Sequence, residues 1–324
     1  MMNGQEQFPE TPDSSPEEIP VPSDRSFIDR YGISPVVFAL ATLIIVFIAY
    51  QIIGGVITYF LFGLNPTADN VDGLRLVTGI GQLLFILLPT VLLIRLGTTE
   101  PSRFLRLEFP GVQALIVPLV GIFSLQQMLQ IYLVFQEKIP LPPELEEFTR
   151  QLKDMIDQLT KLLAGSSSVP ELFWVIFIIA LIPAVAEEFL FRGLVQRSIE
   201  RQFGPIRAMV VTGIIFGAYH LNPFSFVPLA ILGIYLGFLA MRARSLWTSV
   251  AAHFYNNTYA CVTLYWKMDD TVPGGGNPEQ MAVGPLLLLF WFYGVLLILS
   301  TLYFVKITRL PDMNDEPEID SPVE

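Results

Sequence analysis

The sequence has little charge and almost no cysteine or histidine. Of its 324 residues, 15% are charged, two are histidines and one is a cysteine. The single cysteine, Cys261, excludes an internal disulfide framework, and its place within an apolar run indicates core packing. Soluble globular domains carry about 25% charged residues. The low charge therefore argues against a soluble globular protein.

The chain contains long hydrophobic runs with few charged residues. The chain is 52% hydrophobic and its mean hydropathy is +0.55. A helix needs about 20 apolar residues to cross a bilayer. We therefore predict an all-α fold, a polytopic membrane helix bundle of about eight transmembrane helices with an amphipathic surface helix between spans three and four. The predicted spans cover 35–62, 75–97, 112–136, 169–200, 206–222, 224–241, 246–266 and 282–307.

The charge that is present concentrates at the two ends. Residues 1–34 hold seven acids against two arginines, and residues 309–324 hold six acids against one arginine. Both stretches are rich in Pro and Ser, which predicts disordered acidic tails. Between them we expect three transmembrane helices over 35–136, an amphipathic extramembrane segment over 137–168, a core over 169–266 and a last transmembrane helix over 282–308.

The distribution of Lys and Arg predicts the orientation in the membrane. With both ends cytoplasmic, 13 basic residues lie inside and six lie outside. Four of the six outside fall in the long, mixed-charge segment 137–168. Under the positive-inside rule, this favours cytoplasmic termini.

The segment 137–168 has the pattern of an amphipathic helix at the outer surface. Its apolar residues recur at i, i+3 and i+4 with charged residues opposite. We interpret it as a connector on the bilayer or against its own bundle, with a substrate gate or lid as the alternative. The apolar positions are Leu145, Phe148, Leu152, Met155, Ile156, Leu159, Leu162 and Leu163.

Ionisable side chains inside apolar runs are the strongest functional signal. Glu187, Glu188 and Arg192 lie in the fourth predicted span, and both histidines, His220 and His253, lie in later spans. A charged side chain at membrane depth costs roughly 2.5 to 3.5 kcal/mol on insertion scales. Such residues need a partner, a water-filled cavity or a function.

Counting residues from the break at Gly204-Pro205 places two of these side chains at one level. Glu187 precedes Gly204 by 17 residues, and His220 follows Pro205 by 15. At about 1.5 Å per residue, both lie roughly 22 to 26 Å from the same hairpin. His253, nine residues after Arg244, is expected at a shallower level unless its helix starts early or tilts.

Helical spacing divides the polar residues into pairs. Glu188 and Arg192 are four apart and should form an ion pair, which leaves Glu187 for chemistry. Asn257 follows His253 at i+4, on the same face of its helix.

Two chemistries fit these residues. Glu187 with His220 would form a general base for water, and His253 and Asn257 would donate to the oxyanion of an attacked carbonyl. In the alternative, Glu187, His220 and His253 hold a metal such as zinc, although no HExxH spacing supports it. We favour the metal-free interpretation and expect no cofactor.

Each group also has a purely structural interpretation. The two glutamates would then be ion-paired links between helices, and each histidine would be a packing residue. Taken singly, these interpretations are favoured, but the full set together favours a functional site.

The set also resembles a known family. Glu187, Glu188 and Arg192 match EExxxR, Phe216 and His220 match FxxxH, and His253 and Asn257 match HxxxN. In this order and spacing they resemble the CPBP family, which comprises type II CAAX prenyl endopeptidases and related bacteriocin-processing or bacteriocin-immunity membrane proteins. The resemblance covers residues 169 to about 262.

The resemblance implies an intramembrane endopeptidase of the glutamate type, historically described as a metalloprotease. By position it implies that Glu187 and His220 activate water while His253 and Asn257 stabilise the oxyanion. It also implies that Glu188 and Arg192 hold the helix and that Phe216 packs beside the site. The acidic tails and the long amphipathic segment are departures from the shorter members of the family. They bear on how a substrate reaches the site.

The expected partners are the lipid bilayer and a peptide or lipidated protein, including a prenylated CAAX-like one, and no nucleic acid. The expected location is a cell membrane of the bacterial cytoplasmic type, with several spans and both termini cytoplasmic. Two other functions also fit the residues and the resemblance. One is a non-proteolytic immunity or scaffold protein, and the other is a proton-coupled transporter using Glu187 and His220 as a relay.

Overall fold

The computed structural model describes residues 26–63, 66–140, 142–266 and 282–308, and every regular element in these ranges is a helix. We number the helices in chain order. They are α1 Phe27–Arg30, α2 Pro35–Phe62, α3 Ala68–Gly97, α4 Pro101–Phe104, α5 Val112–Glu137, α6 Pro143–Ala164, α7 Val169–Phe203, α8 Pro205–Tyr219, α9 Phe226–Ala243, α10 Leu246–Tyr265 and α11 Val283–Ile307. The predicted all-α membrane helix bundle is confirmed.

Six of these helices are long and apolar enough to cross a membrane, namely α2, α3, α5, α7, α9 and α11. The other two predicted spans are present as helices but differ from the rest. Helix α8 has 15 residues, or about 22 Å of rise, which is shorter than a hydrocarbon core of about 30 Å. Helix α10 has 20 residues but carries His253 and two asparagines, which lower its hydropathy.

Most of the predicted N-terminal tail, all of the predicted C-terminal tail and residues 267–281 lie outside the described residues. Within the predicted N-terminal tail, residues 26–34 include α1, and Ile28 on that helix is buried. Helix α3 begins at Ala68, seven residues before the predicted start of the second span, because Thr67 and Asn70 form a capping box at its N-terminus.

Prolines inside two spans coincide with changes of helical winding. The π-helical segment Leu83–Leu87 of α3 ends two residues before Pro89, and Ile176–Leu181 of α7 ends two residues before Pro183. Proline has no N–H and its ring clashes with the carbonyl four residues earlier. Local π winding in a spanning helix accommodates that disruption.

Glycines bring α8 and α9 together. A Cβ on Gly213 would lie 2.5 Å from the backbone nitrogen of Ile234, and one on Gly217 would lie 2.8 Å from that of Ala230. Only residues without a side chain allow backbones to approach this closely. This close packing on α9 positions the C-terminal end of α8, where His220 lies.

The amphipathic helix α6 is joined to the bundle at its C-terminal end. Arg75 on α3 is 2% exposed and donates to the backbone oxygens of Leu162, Leu163 and Gly165. It also pairs with Glu171 at the start of α7, at 2.9 Å. On the N-terminal half of α6, Leu145 and Phe148 are exposed.

Candidate functional site

Three helices build the site. Helix α7 supplies Glu187, Glu188 and Arg192, His220 lies at the C-terminal end of α8, and α10 supplies His253. In α7 the α-helical turn that ends at Glu188 passes into a π-helical segment, Phe189–Gln196. Such segments are frequent at functional sites, since they change the direction in which side chains point.

The ion pair expected between Glu188 and Arg192 is present. Arg192 Nη1 donates to Glu188 Oε1 at 2.7 Å, and both side chains are completely buried. Arg192 Nη2 also donates to the backbone oxygen of Gly233 on α9, at 2.8 Å. Opposite charges in contact and bonded to the backbone offset part of the cost of burial.

The imidazole of His253 completes this buried cluster. Its Nδ1 lies 2.8 Å from Glu188 Oε1, which is the oxygen that also accepts from Arg192. A carboxylate oxygen accepts hydrogen bonds, so Nδ1 of His253 carries the proton. Its Nε2 is left to face away from Glu188.

The imidazole of His220 is oriented by its own helix. Nδ1 lies 2.7 Å from the backbone oxygen of Phe216, and a carbonyl only accepts, so Nδ1 is the donor. Helix α8 ends here because Leu221 adopts a left-handed conformation with φ of 52°. The side chain of Asn222 then accepts from two backbone N–H groups, those of Phe224 and Ser225.

Both imidazoles direct Nε2 at one carboxylate oxygen. Glu187 Oε2 lies 3.8 Å from Nε2 of His220 and 4.0 Å from Nε2 of His253. The same oxygen is buried and has no hydrogen-bond partner. The side chain of His220 is 31% exposed, against 15% for Glu187 and 4% for His253. Approach to the carboxylate is therefore from the His220 side.

Sequence counting put Glu187 and His220 at one level, and the two side chains do meet. The sequence prediction puts His253 at a shallower level unless its helix starts early or tilts, and its Nε2 lies 4.0 Å from Glu187 Oε2. Counting along one helix did not include the packing of α10 against the segment Ile182–Glu188, which sets the level of His253.

Phe216 packs between the charged groups. Its ring is 1% exposed, and its centroid lies 4.6 Å from that of His220 and 5.8 Å from that of His253. The Arg192 guanidinium carbon lies 4.6 Å from the same centroid. This is the arrangement of a cation–π contact, which holds a guanidinium against an aromatic face.

Asn257 lies one helical turn beyond His253 and is half-buried. Its Oδ1 accepts from Nδ2 of Asn256 at 3.2 Å. Among the hydrogen bonds of the described residues, none joins Asn257 to Glu187 or to either histidine.

The distances around Glu187 can be compared with those of a tetrahedral zinc site. Ligand atoms of such a zinc lie about 2.0 to 2.1 Å from the metal and so about 3.3 Å from one another. The two separations here are 3.8 and 4.0 Å. In the described part of the chain, no three His, Cys, Asp or Glu side chains are placed to hold a metal ion. Hydrogen bonds of about 2.8 Å would let one water reach the carboxylate and either imidazole.

Sequence reasoning missed several polar groups near the site. Tyr50 of α2 and Tyr219 of α8 have phenols within electrostatic range of Glu187. Gln82 of α3 donates to the Tyr50 hydroxyl at 3.4 Å. The available signal was a polar side chain within an apolar run, which marks functional or interhelical contacts in membranes.

The fold and site together define a helical membrane protein with a buried glutamate and two histidines on three packed helices. Residues 169–259 match a family described as Type II CAAX prenyl endopeptidase Rce1-like. The matched segment covers α7, α8, α9 and most of α10, and it confirms the CPBP resemblance predicted from the three motifs. The match supports intramembrane CAAX protease activity in general. No curated protein and no solved structure shows significant similarity to the chain.

Proposed function

We propose that the protein is an intramembrane endopeptidase in which Glu187 and His220 activate a water molecule. The observation that carries the proposal is the buried, unpartnered Oε2 of Glu187, faced by Nε2 of both histidines at 3.8 and 4.0 Å. A water can lie between two polar atoms that are more than about 3.5 Å apart.

The hydrogen bond that His220 already makes leaves the gap between its Nε2 and the Glu187 carboxylate suited to a water molecule. With Nδ1 of His220 donating to Phe216, its neutral Nε2 can only accept, as does the Glu187 carboxylate. A bridging water would donate one hydrogen to each and keep its lone pairs for attack. The water oxygen would bond to the carbonyl carbon as its proton passes to the Glu187–His220 pair. That proton would then pass to the departing amine as the C–N bond breaks.

The second histidine has the environment of an oxyanion donor. In this role His253 would carry a hydrogen on both ring nitrogens, with Nδ1 donating to Glu188 and Nε2 donating into the site. Asn257, on the same face of α10, would add a second donor by rotating its amide. In this scheme Glu188, Arg192 and Phe216 position the reacting groups.

The proposed substrate is a peptide held in or beside the membrane, with a lipidated or signal-like segment and a prenylated CAAX-like end as candidates. The proposed setting is a bacterial cytoplasmic membrane with both termini cytoplasmic. The 13 to six excess of inside basic residues supports this orientation.

The test is cleavage of a fluorogenic peptide library, with prenylated CAAX peptides included, by the purified protein in detergent. Glu187→Gln should abolish cleavage, since an amide cannot accept the proton, with thermal stability close to that of wild type. The variant Asp72→Asn, on an exposed carboxylate, is the matched control and should cleave normally. Full activity in Glu187→Gln would sink the proposal.

Chelator treatment of the same reaction tests the metal alternative. We expect cleavage to persist, because the separations of Glu187 Oε2 from the two imidazoles, 3.8 and 4.0 Å, exceed the roughly 3.3 Å between ligand atoms of a tetrahedral zinc. Loss of cleavage with chelator and its return with zinc would assign those three residues to a metal. Failure of folded wild type to cleave any peptide would instead favour a non-proteolytic immunity or scaffold role.

A further inference from the structure

Beyond the motif residues, α7 carries a second buried polar side chain directed at α9. Gln196 is 2% exposed, and its Nε2 donates to the backbone oxygen of Gly237 at 3.0 Å. It lies four residues after Arg192, whose Nη2 donates to the backbone oxygen of Gly233 at 2.8 Å. Two side chains four apart on α7 thus bond two carbonyls four apart on α9.

The glycines are required for this pairing. A Cβ on Gly237 would lie 2.7 Å from Oε1 of Gln196, so any larger residue would push the amide away. A Cβ on Gly233 would lie 3.0 Å from the backbone of Gly213 and 3.1 Å from the Phe216 ring. The same two glycines that let α9 approach α8 also expose its carbonyls to α7.

The pairing is continuous with the proposed catalytic groups. Arg192 bonds Glu188 at 2.7 Å, and Glu188 bonds Nδ1 of His253 at 2.8 Å. A slide or rotation of α7 along α9 would break the Gln196 and Arg192 bonds together. The Gln196 bond therefore resists a movement that would also displace His253.

We infer that Gln196 is a positioning residue, which fixes the register of α7 on α9 and through Arg192 and Glu188 sets the orientation of His253. This inference rests on the proposed function for its effect on cleavage. Its effect on the His253 imidazole is independent of any substrate. A side-chain hydrogen bond between helices in a membrane is strong enough to change a population of orientations severalfold.

The chain offers a matched control for Gln196. Gln127 on α5 is 4% exposed, and its Nε2 donates to the Tyr259 hydroxyl, also at 3.0 Å. Gln196→Met and Gln127→Met each remove one buried amide donor while keeping an unbranched side chain of similar volume. Equal losses of thermal stability are expected from the two.

The first readout is the NMR spectrum of protein labelled with ¹³C at histidine Cε1. The chain has only two histidines, so two signals are expected, and His220→Gln assigns them. Gln196→Met should shift the His253 signal and leave the His220 signal in place, whereas Gln127→Met should move neither. If Gln196→Met loses as much stability as Gln127→Met but leaves the His253 signal unchanged, Gln196 is a packing residue and the inference is wrong.

The second readout is kinetic. Gln196→Met should lower kcat about tenfold while KM stays within about twofold, since the change acts on the reacting groups rather than on substrate binding. Gly237→Ala should act in the same direction and serves if Gln196→Met does not fold. A shifted His253 signal without any wild-type cleavage would uphold the positioning role and count against the protease. Normal kcat in both variants, with an unshifted signal, would overturn the inference.

Discussion

Two buried arginines hold different parts of this molecule, and their partners differ in distance along the chain. Arg192 pairs with Glu188 four residues away, inside a completely buried cluster. Arg75 pairs with Glu171 and bonds the carbonyls of Leu162 and Leu163, all 87 to 96 residues away. The first arginine belongs to the proposed site, and the second joins three segments of the fold.

The surroundings of the two guanidinium groups also differ. Around Arg192, Glu188 has no exposed surface, and its Oε2 has no partner. Around Arg75, Asp72 is 72% exposed and Glu171 is 26% exposed, so solvent screens part of the interaction. Removing Arg192 should leave the completely buried Glu188 carboxylate without its arginine, whereas removing Arg75 should leave two carboxylates that water can reach.

The largest effect is expected for Arg192→Met. Breaking a buried ion pair by removing one partner costs about 3 to 5 kcal/mol, because the other charge stays in a low-dielectric interior. We expect that loss in the free energy of unfolding, measured in lipid or detergent, together with loss of cleavage. The double variant Glu188→Gln, Arg192→Met removes both charges and should recover most of the stability but not the activity. A single variant as stable as wild type would contradict the comparison.

The same comparison explains how much could be predicted from the sequence. The Glu188–Arg192 pair follows from helical spacing alone, and the common level of Glu187 and His220 follows from counting outward from one hairpin. The contacts of Arg75, Tyr50 and Gln196 follow from neither, because their partners lie on other helices and many are backbone carbonyls.

The level of His253 shows where counting fails. Counting from Arg244 gives a shallower position unless α10 starts early or tilts, but α10 packs against Ile182–Glu188 of α7 and Nε2 of His253 lies 4.0 Å from Glu187 Oε2. Helix tilt is set by packing against neighbours and by interfacial anchors, and residue number does not encode it. The sequence therefore predicts which residues share a face better than how faces on different helices meet.

An intermediate effect is expected for Arg75→Met. A lost hydrogen bond to a charged group is worth about 1.5 to 3 kcal/mol. Because the carboxylates of Asp72 and Glu171 are partly exposed, water replaces much of what Arg75 supplies, and we expect a total loss within that range. The C-terminal half of α6 should lose protection in hydrogen exchange, while cleavage stays within a few-fold of wild type. Arg103→Met, which breaks an exposed pair with Glu100 at 3.1 Å, is the control and should change neither. Loss of cleavage in Arg75→Met without loss of exchange protection would tie Arg75 to the site instead.

The smallest effects are expected from the two carboxylates that face Arg75. Glu171 accepts from Arg75 at 2.9 Å and from the backbone and hydroxyl of Ser167 at 2.7 and 2.8 Å. Asp72 accepts from Arg75 at 3.0 Å. Glu171→Gln should cost about 1 kcal/mol, and Asp72→Asn should lie within error, because an exposed carboxylate loses little when its charge is removed. Thermal unfolding of the two variants beside wild type checks the order. Equal losses of stability in the two variants would mean that the burial of each carboxylate matters less than its charge.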